Sequence, residues 1–169
     1  MIHLIAGSTG AGKTFYSRQV ALELKATVFS IDDLMKTLFW PEMPKDPDIK
    51  WFQENADWYR QRIERCENLV ENLIWQGSKN GLNYILDLGF ATAAHRKKFI
   101  APAIENHIPC ETHFLAIDKE TRWARVETRN QEKPDTFAMH VDKGMFDYME
   151  SIFEEPTPQE GVPIKIISD

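Results

Sequence analysis

Gly7-Ser8-Thr9-Gly10-Ala11-Gly12-Lys13-Thr14 fills every fixed position of the pattern G-x-x-x-x-G-K-[ST]. It lies between an apolar run, Ile2-His3-Leu4-Ile5-Ala6, and a stretch with Tyr16, Val20 and Leu24 at i, i+4 and i+8. Strand, glycine loop and helix form the context in which the pattern has physical meaning. Glycines let the backbone curl until successive N–H groups point inward at phosphate oxygens, and the helix start adds partial positive charge. On this reading Gly7, Ser8, Thr9, Gly10, Ala11 and Gly12 cradle phosphate, Lys13 reaches the β- and γ-phosphates, and the Thr14 hydroxyl ligates Mg2+. A glycine-rich turn with no ligand is the alternative.

Working outward, Ala26 to Ile31 is a second β-rich run and ends at Asp32-Asp33; Asn83 to Leu88, Thr112 to Ile117 and Pro163 to Ile167 make a third, fourth and fifth. Helical stretches separate them. Short strands, mostly apolar on both faces and alternating with helices, predict an α/β fold: a parallel sheet covered by helices on each side. Residues 41 to 48 hold three of the nine prolines and read as a loop, after which Ile63, Cys66, Leu69, Val70, Leu73 and Ile74 keep helical spacing up to Gly77. This block, about 41–80, exceeds a minimal crossover and reads as a helical acceptor-side insertion.

At 169 residues the chain fits one domain, against about 150 per domain. Its 43% hydrophobic content supplies a core without staples. Twenty Lys and Arg against 26 Asp and Glu leave a net charge of −6, which argues against a polyanion coat or an anionic membrane surface. Cys66 and Cys110 lack zinc or redox spacing. His3, His95, His107, His113 and His140 likewise show no ligand or triad spacing and read as structural or exposed. With no signal-like start and no spanning stretch, a soluble cytoplasmic protein is expected.

Ligands of an open parallel sheet gather beyond the carboxyl ends of its strands. Asp32 and Asp33 lie there, where a carboxylate accepts the proton of an attacking hydroxyl or, alternatively, caps a helix over Leu34 to Phe39. Asp87 closes the apolar run Tyr84-Ile85-Leu86 in the arrangement that holds Mg2+, or caps the helix beginning near Thr92. Arg122, Arg125 and Arg129 fall at i, i+3 and i+7 on one helix face, followed by the polar segment Asn130 to Asp135; residues of about 119–136 read as a lid whose arginines meet a phosphoryl group in flight, or as a solvated face partnered by Glu120 and Glu127. Trp40, Trp51, Phe52, Trp58 and Tyr59 crowd the 41–80 block and read as packing, with substrate stacking as the alternative.

Taken together these residues resemble small P-loop kinases of the adenylate-kinase-like group, nearest the polynucleotide-kinase-like branch catalogued as AAA-type ATP-binding proteins. The carriers are Gly7 to Thr14, Ser30-Ile31-Asp32-Asp33, Ile85-Leu86-Asp87, Arg96, Arg125, Arg129 and the segment from Met145-Phe146 to Phe153-Glu154-Glu155-Pro156. The resemblance implies a P-loop NTPase three-layer α/β/α sandwich of sheet order 2-3-1-4-5, with ATP and Mg2+ as cofactors. It further implies Asp32 as catalytic base, Arg125 and Arg129 as lid arginines, and Asp33 and Arg96 on the acceptor side. Met35 stands where relatives acting on nucleic-acid ends often carry a basic residue, with Lys36 beside it; a nucleic-acid end is therefore disfavoured against a small-molecule or nucleotide-like acceptor. The chain stops at Asp169, just after the fifth strand, so adenine recognition is expected from elsewhere.

Two functions compete: an ATP-dependent phosphotransferase acting on a hydroxyl, and a nucleotide-binding switch or regulatory ATPase without acceptor. A full AAA+ motor is disfavoured by length, since roughly 200 or more residues are normally needed. Asp32 and the arginines in cis discriminate, because a switch has no use for a base aimed at an acceptor.

Overall fold

The computed structural model describes residues 1–44, 47–134, 137 and 139–168. Five parallel strands, β1 (Ile2–Ala6), β2 (Ala26–Ser30), β3 (Asn83–Asp87), β4 (Cys110–Leu115) and β5 (Ile164–Ile167), form one sheet of order β2-β3-β1-β4-β5. The order is the one the resemblance implied. Helices α1 (Lys13–Leu24), α2 (Ile31–Leu38), α3 (Ile49–Glu54), α4 (Ala56–Ser78), α5 (Ala93–Glu105), α6 (Lys119–Glu132) and α7 (Lys143–Ile152) connect the strands. No helix among the described residues is long and apolar enough to cross a membrane.

Strand alternation explains how both faces are covered. Ile2, Leu4 and Ala6 of β1 face a core completed by Met35 of α2, Cys66, Val70 and Ile74 of α4, and Phe99, Ile100 and Ala103 of α5. Ile5 faces the other way, with Ile85, Leu115 and Val20 of α1. A third cluster joins α6 to α7 through Val126, Val141 and Phe146. Much of the 41–80 block is therefore the crossover cover of the sheet: α4 packs three residues into the main core, and α3, capped by the Asp48 side chain, precedes it. Residues 45 and 46 of the proline-rich loop lie outside the described residues. Gly77 is required on α4, since a Cβ there would meet the Tyr84 hydroxyl at 1.6 Å.

Several boundaries differ from the sequence reading. β4 begins and ends two residues earlier than Thr112–Ile117, because Cys110 and Glu111 already pair with Ile2 and His3. The helix after β2 starts at Ile31, not at Leu34. Ser30 takes the cap, its hydroxyl accepting from the Asp33 N–H at 3.3 Å, so both aspartates fall in the first turn and neither is the N-cap. α6 runs to Glu132 and closes on Lys133 in the left-handed region. Asn130, the first residue of the polar segment that follows the arginines, is tied to Val141 in both directions, donating to its carbonyl at 2.8 Å and accepting from its N–H at 3.1 Å. Asp135 lies outside the described residues, with 136 and 138.

Arg96 needs the clearest correction. The resemblance placed it on the acceptor side, but it is 0% exposed and its guanidinium is fully used inside the protein. Nε and Nη2 donate to the two Glu160 carboxylate oxygens at 2.8 and 2.7 Å, and Nη1 donates to the carbonyls of Glu154 at 2.8 Å and Phe90 at 3.3 Å. Glu160 is itself held by the Thr157 N–H at 3.2 Å, and Glu154 accepts from the Ala93 N–H at 2.7 Å. Arg96 thus fastens α5 to the segment leading into β5. Replacing it by an apolar side chain strands a buried carboxylate, and breaking such a pair costs about 3–5 kcal/mol. Arg96→Met is expected to lower stability by that amount in urea denaturation; a loss under about 1 kcal/mol would show that the pair does not carry this joint.

Candidate active site

The site grows from the carboxyl end of β1, where the strand order reverses. Gly10 and Gly12 have φ of 83° and 87°, which lets the chain curl back over the start of α1. Gly10 is also pressed against α6: a Cβ there would stand 2.4 Å from the Arg122 carbonyl oxygen. Lys13 closes the loop from within, its ammonium donating to the carbonyls of Gly7 at 2.8 Å and Ser8 at 3.3 Å. Thr14 donates its hydroxyl to Asp87 Oδ2 at 2.8 Å. Those are the two residues read as Mg2+ ligands, and a hydroxyl beside a carboxylate is the all-oxygen donor set that a hard cation takes.

Parallel register sets the carboxylates side by side. Ser30 pairs with Asp87 at the ends of β2 and β3, so the first turn of α2 carries Asp32 next to Asp87. The Asp32 side chain still meets solvent, yet the protein around it desolvates it, and with Asp87 nearby its carboxyl is held above the ordinary range against the pull of Lys13 and Arg129. Burial raises Asp87 in the same way, opposed by Lys13 and the Thr14 hydrogen bond. Burial also lowers Lys13, opposed by Asp87 and Asp32. Asp33 is exposed and turns to Arg18, 3.7 Å away, a solvated pair of little energetic weight.

The arginine stripe divides. Arg122 is buried and structural: it donates to both oxygens of Glu150 at 2.7 and 2.8 Å, to the Ile117 carbonyl at 2.9 Å and to the Thr9 carbonyl at 3.3 Å. Glu150 Oε2 also accepts from the Ser8 hydroxyl at 2.7 Å. Arg129 feels Asp32, and its buried Nε has no hydrogen-bond partner among the described residues. Such an orphaned donor fits an anion still to arrive. Arg125 is exposed and lies over the loop, its Nη1 3.9 Å from where a Gly12 Cβ would be.

Beside the Asp32 end of the site, Phe52, Ala56, Tyr59, Ile63, Glu67 and His95 line a cleft of about 390 Å3. Tyr59, which lines it, has its hydroxyl pushed up by burial and then by the Asp32 charge. The aromatics pack edge to face, Trp51 on Phe52 and Trp58, and Phe52 on Tyr59, with the Arg62 guanidinium 3.9 Å above the Trp58 ring. Of the five aromatics, Phe52 and Tyr59 line it, and Trp40, Trp51 and Trp58 do not. Sequence reasoning missed Glu150 and the Glu67–His95 pair, whose ring nitrogen and carboxylate oxygen lie 2.7 Å apart. Glu150 falls inside the 145–156 segment, but no spacing singles it out.

No curated protein matches the sequence. Among solved structures, a suspected kinase of Chloroflexus aurantiacus superposes with a TM-score of 0.72 at 13% identity, over 99% of this chain and 86% of that one. Kti12 of Chaetomium thermophilum, in complex with ADP-AlF3, gives 0.68 at 15% identity over 99% and 89%. Deoxyadenosine kinase of M. mycoides, with dATP bound, gives 0.55 at 14% identity over 99% and 91%. At these identities the likeness establishes the fold. Residues 2–156 match the AAA domain family, and with most of its length covered the chain belongs to that family, in a small P-loop kinase-like fold.

Proposed function

We propose that this protein is an ATP-dependent phosphotransferase that moves the γ-phosphate to a hydroxyl of a small-molecule or nucleotide-like acceptor. One observation carries the reading: Asp32 lies near Lys13, Asp87 and Arg129, close enough that their charges act on one another. Bound Mg2+ would be held by Thr14 and Asp87 and would supply neutralisation of the β- and γ-oxygens. Lys13 leaves the Gly7 and Ser8 carbonyls for the phosphates, and loop N–H groups hold them in place. The acceptor enters by the aromatic cleft, and Asp32 takes its hydroxyl proton as the oxygen attacks phosphorus. The new P–O bond forms while the γ-phosphorus-to-bridging-oxygen bond breaks, and ADP departs with that electron pair. Arg129, with Arg125 over the loop, meets the charge spread on the equatorial oxygens.

A polynucleotide acceptor is disfavoured by the net charge of −6 and by Met35, which is 2% exposed and part of the core, leaving no side chain three residues after Asp32 to meet a phosphodiester. A switch would use the same loop without Asp32. Nucleosides, sugars, amino alcohols and oligonucleotide 5′ ends form the screen, scored by acceptor-dependent ADP release; the absence of any stimulating acceptor would favour the switch.

Lys13→Ala is expected to keep the fold and lose most Mg-nucleotide affinity or turnover, and unchanged calorimetric affinity with unchanged turnover would overturn the phosphate-loop assignment. Arg129→Ala and Arg125→Ala are each expected to lower kcat by about 10²-fold or more while nucleotide Kd moves much less. Wild-type turnover in both would return α6 to a solvated face.

Asp32→Asn should abolish transfer while ATP affinity stays, and it should change stability in a sign-specific way. The Asp32 carboxyl is raised on folding, so between its unfolded and folded values the native chain binds more protons and stability falls as pH rises through that window. The asparagine variant is therefore expected to melt above the wild type at neutral pH, an advantage that disappears below the ordinary carboxylate range. Transfer that survives in Asp32→Asn would remove Asp32 as the base.

A further inference from the structure

The sheet carries a second cluster of chemistry-bearing side chains that the phosphate site does not use. Parallel pairing of β1 with β4 sets His3 opposite Glu111 and Ile5 opposite His113, so His3, Glu111 and His113 project from one face, beneath α1. Their atoms converge. His3 Nδ1 lies 2.8 Å from Glu111 Oε1 and 3.2 Å from His113 Nε2, and His113 Nε2 lies 2.8 Å from the same carboxylate oxygen. The remaining nitrogen of His113, Nδ1, is 2.7 Å from the Tyr16 hydroxyl of α1.

We propose that His3, Glu111 and His113 form a binding site for a divalent cation of the zinc class, joining β1 to β4. Ligands of a tetrahedral zinc at about 2.0–2.1 Å stand about 3.3 Å from one another. The triangle here, 2.8 to 3.2 Å on its sides, needs to open by only roughly half an ångström at most to admit the ion. Two imidazole nitrogens with one carboxylate select zinc and its borderline neighbours over Mg2+ or Ca2+, which take oxygen. The histidine side chains are 3% and 1% exposed, so they are held in place by packing, whereas Glu111 is 24% exposed and opens the way in for the ion and a water as fourth ligand. Tyr16 completes the arrangement: with His113 Nε2 on the metal, Nδ1–H donates to the Tyr16 oxygen and fixes the ring. Cys110 is not a ligand, for alternation along β4 turns it to the opposite core with Ile2 and Leu4.

The site is distinct from the phosphate loop. His3 precedes Gly7 by four residues of extended chain, about 13 Å, and shares no ligand with Thr14 or Asp87. A metal-free trio is chemically complete as well, one carboxylate oxygen accepting two N–H bonds, and measurement separates the two states.

The full-length protein, stripped with chelator and free of nucleotide, is titrated with Zn2+ alone by calorimetry and with Co2+ by visible spectroscopy. One ion per chain is expected, with a tetrahedral Co2+ spectrum lacking a thiolate charge-transfer band, undisturbed by excess Mg2+ or by Cys110→Ser. Glu111→Gln is expected to weaken Zn2+ by about 10–100-fold or more and Tyr16→Phe by about 10-fold, a loss that a tyrosine merely packing α1 would not produce. Failure of the wild type to take up Zn2+, uptake unchanged in Glu111→Gln, or a thiolate band would each overturn the proposal. Should Glu111→Gln not fold, the wild-type Co2+ spectrum decides alone.

Discussion

The contact between Gly10 and the backbone of α6 governs how the carboxyl-terminal half of the protein sits on its phosphate loop. With the Arg122 carbonyl 2.4 Å from an imagined Cβ, only glycine permits the approach, and φ of +83° asks for glycine independently. Two constraints on one residue make the loop and the helix a single unit. Glu150 fastens that unit from α7: one carboxylate accepts from Ser8 of the loop and from both ends of the Arg122 fork. A helix bearing Arg125 and Arg129 is thereby indexed to the phosphates by its first turn, while its far end is held by Asn130 on Val141. Arg125 and Arg129 lie between these two fastenings.

Charge inside the site is arranged against stability. Asp32 and Asp87 are pushed toward protonation and Lys13 toward neutrality, each by desolvation; attraction between Lys13 and the two carboxylates opposes this, helped by Arg129 at Asp32 and by the Thr14 hydrogen bond at Asp87. Perturbed groups of this kind cluster at functional sites, and structural ion-pair networks shift them too, so the pairing of each group matters. The contrast within this protein makes the point: Arg96 and Arg122 are buried and paired with carboxylates and carbonyls, whereas the half-buried Arg129 keeps a buried Nε with no hydrogen-bond partner among the described residues.

What could be read from sequence follows the range of the interactions involved. The loop, the strand before it and the Asp87 strand end are local patterns, and the parallel sheet follows from alternating apolar runs. The start of α2, at Ile31 and not Leu34, is hidden in the sequence because serine and aspartate compete for the cap, and only the backbone turn decides which side chain reaches back. Arg96 was misplaced because its partner lies 64 residues downstream, and a buried guanidinium carries no local signal. Arg122, three residues before Arg125, shares its spacing but not its surroundings; helical periodicity reports a face without saying what covers it. The His3, Glu111 and His113 cluster is visible only in register, since parallel strands joined by long crossovers bring together residues that no linear spacing connects.

β1 shows how much one central strand can carry. Five residues, all buried, divide by alternation: Ile2, Leu4 and Ala6 fill the core under α2, α4 and α5, while His3 and Ile5 face α1. A histidine at such a place is costly unless its nitrogens are satisfied, and an apolar residue would serve packing better. The strand instead keeps an imidazole, an acid opposite it on β4 and a second imidazole two residues further on. α1 rises from the phosphate loop through Lys13 and Thr14 and, within its first turn, lays Tyr16 on His113. The same helix therefore touches both the nucleotide loop and the histidine cluster, and anything that pins β1 to β4 beneath it also steadies the platform from which Lys13 extends.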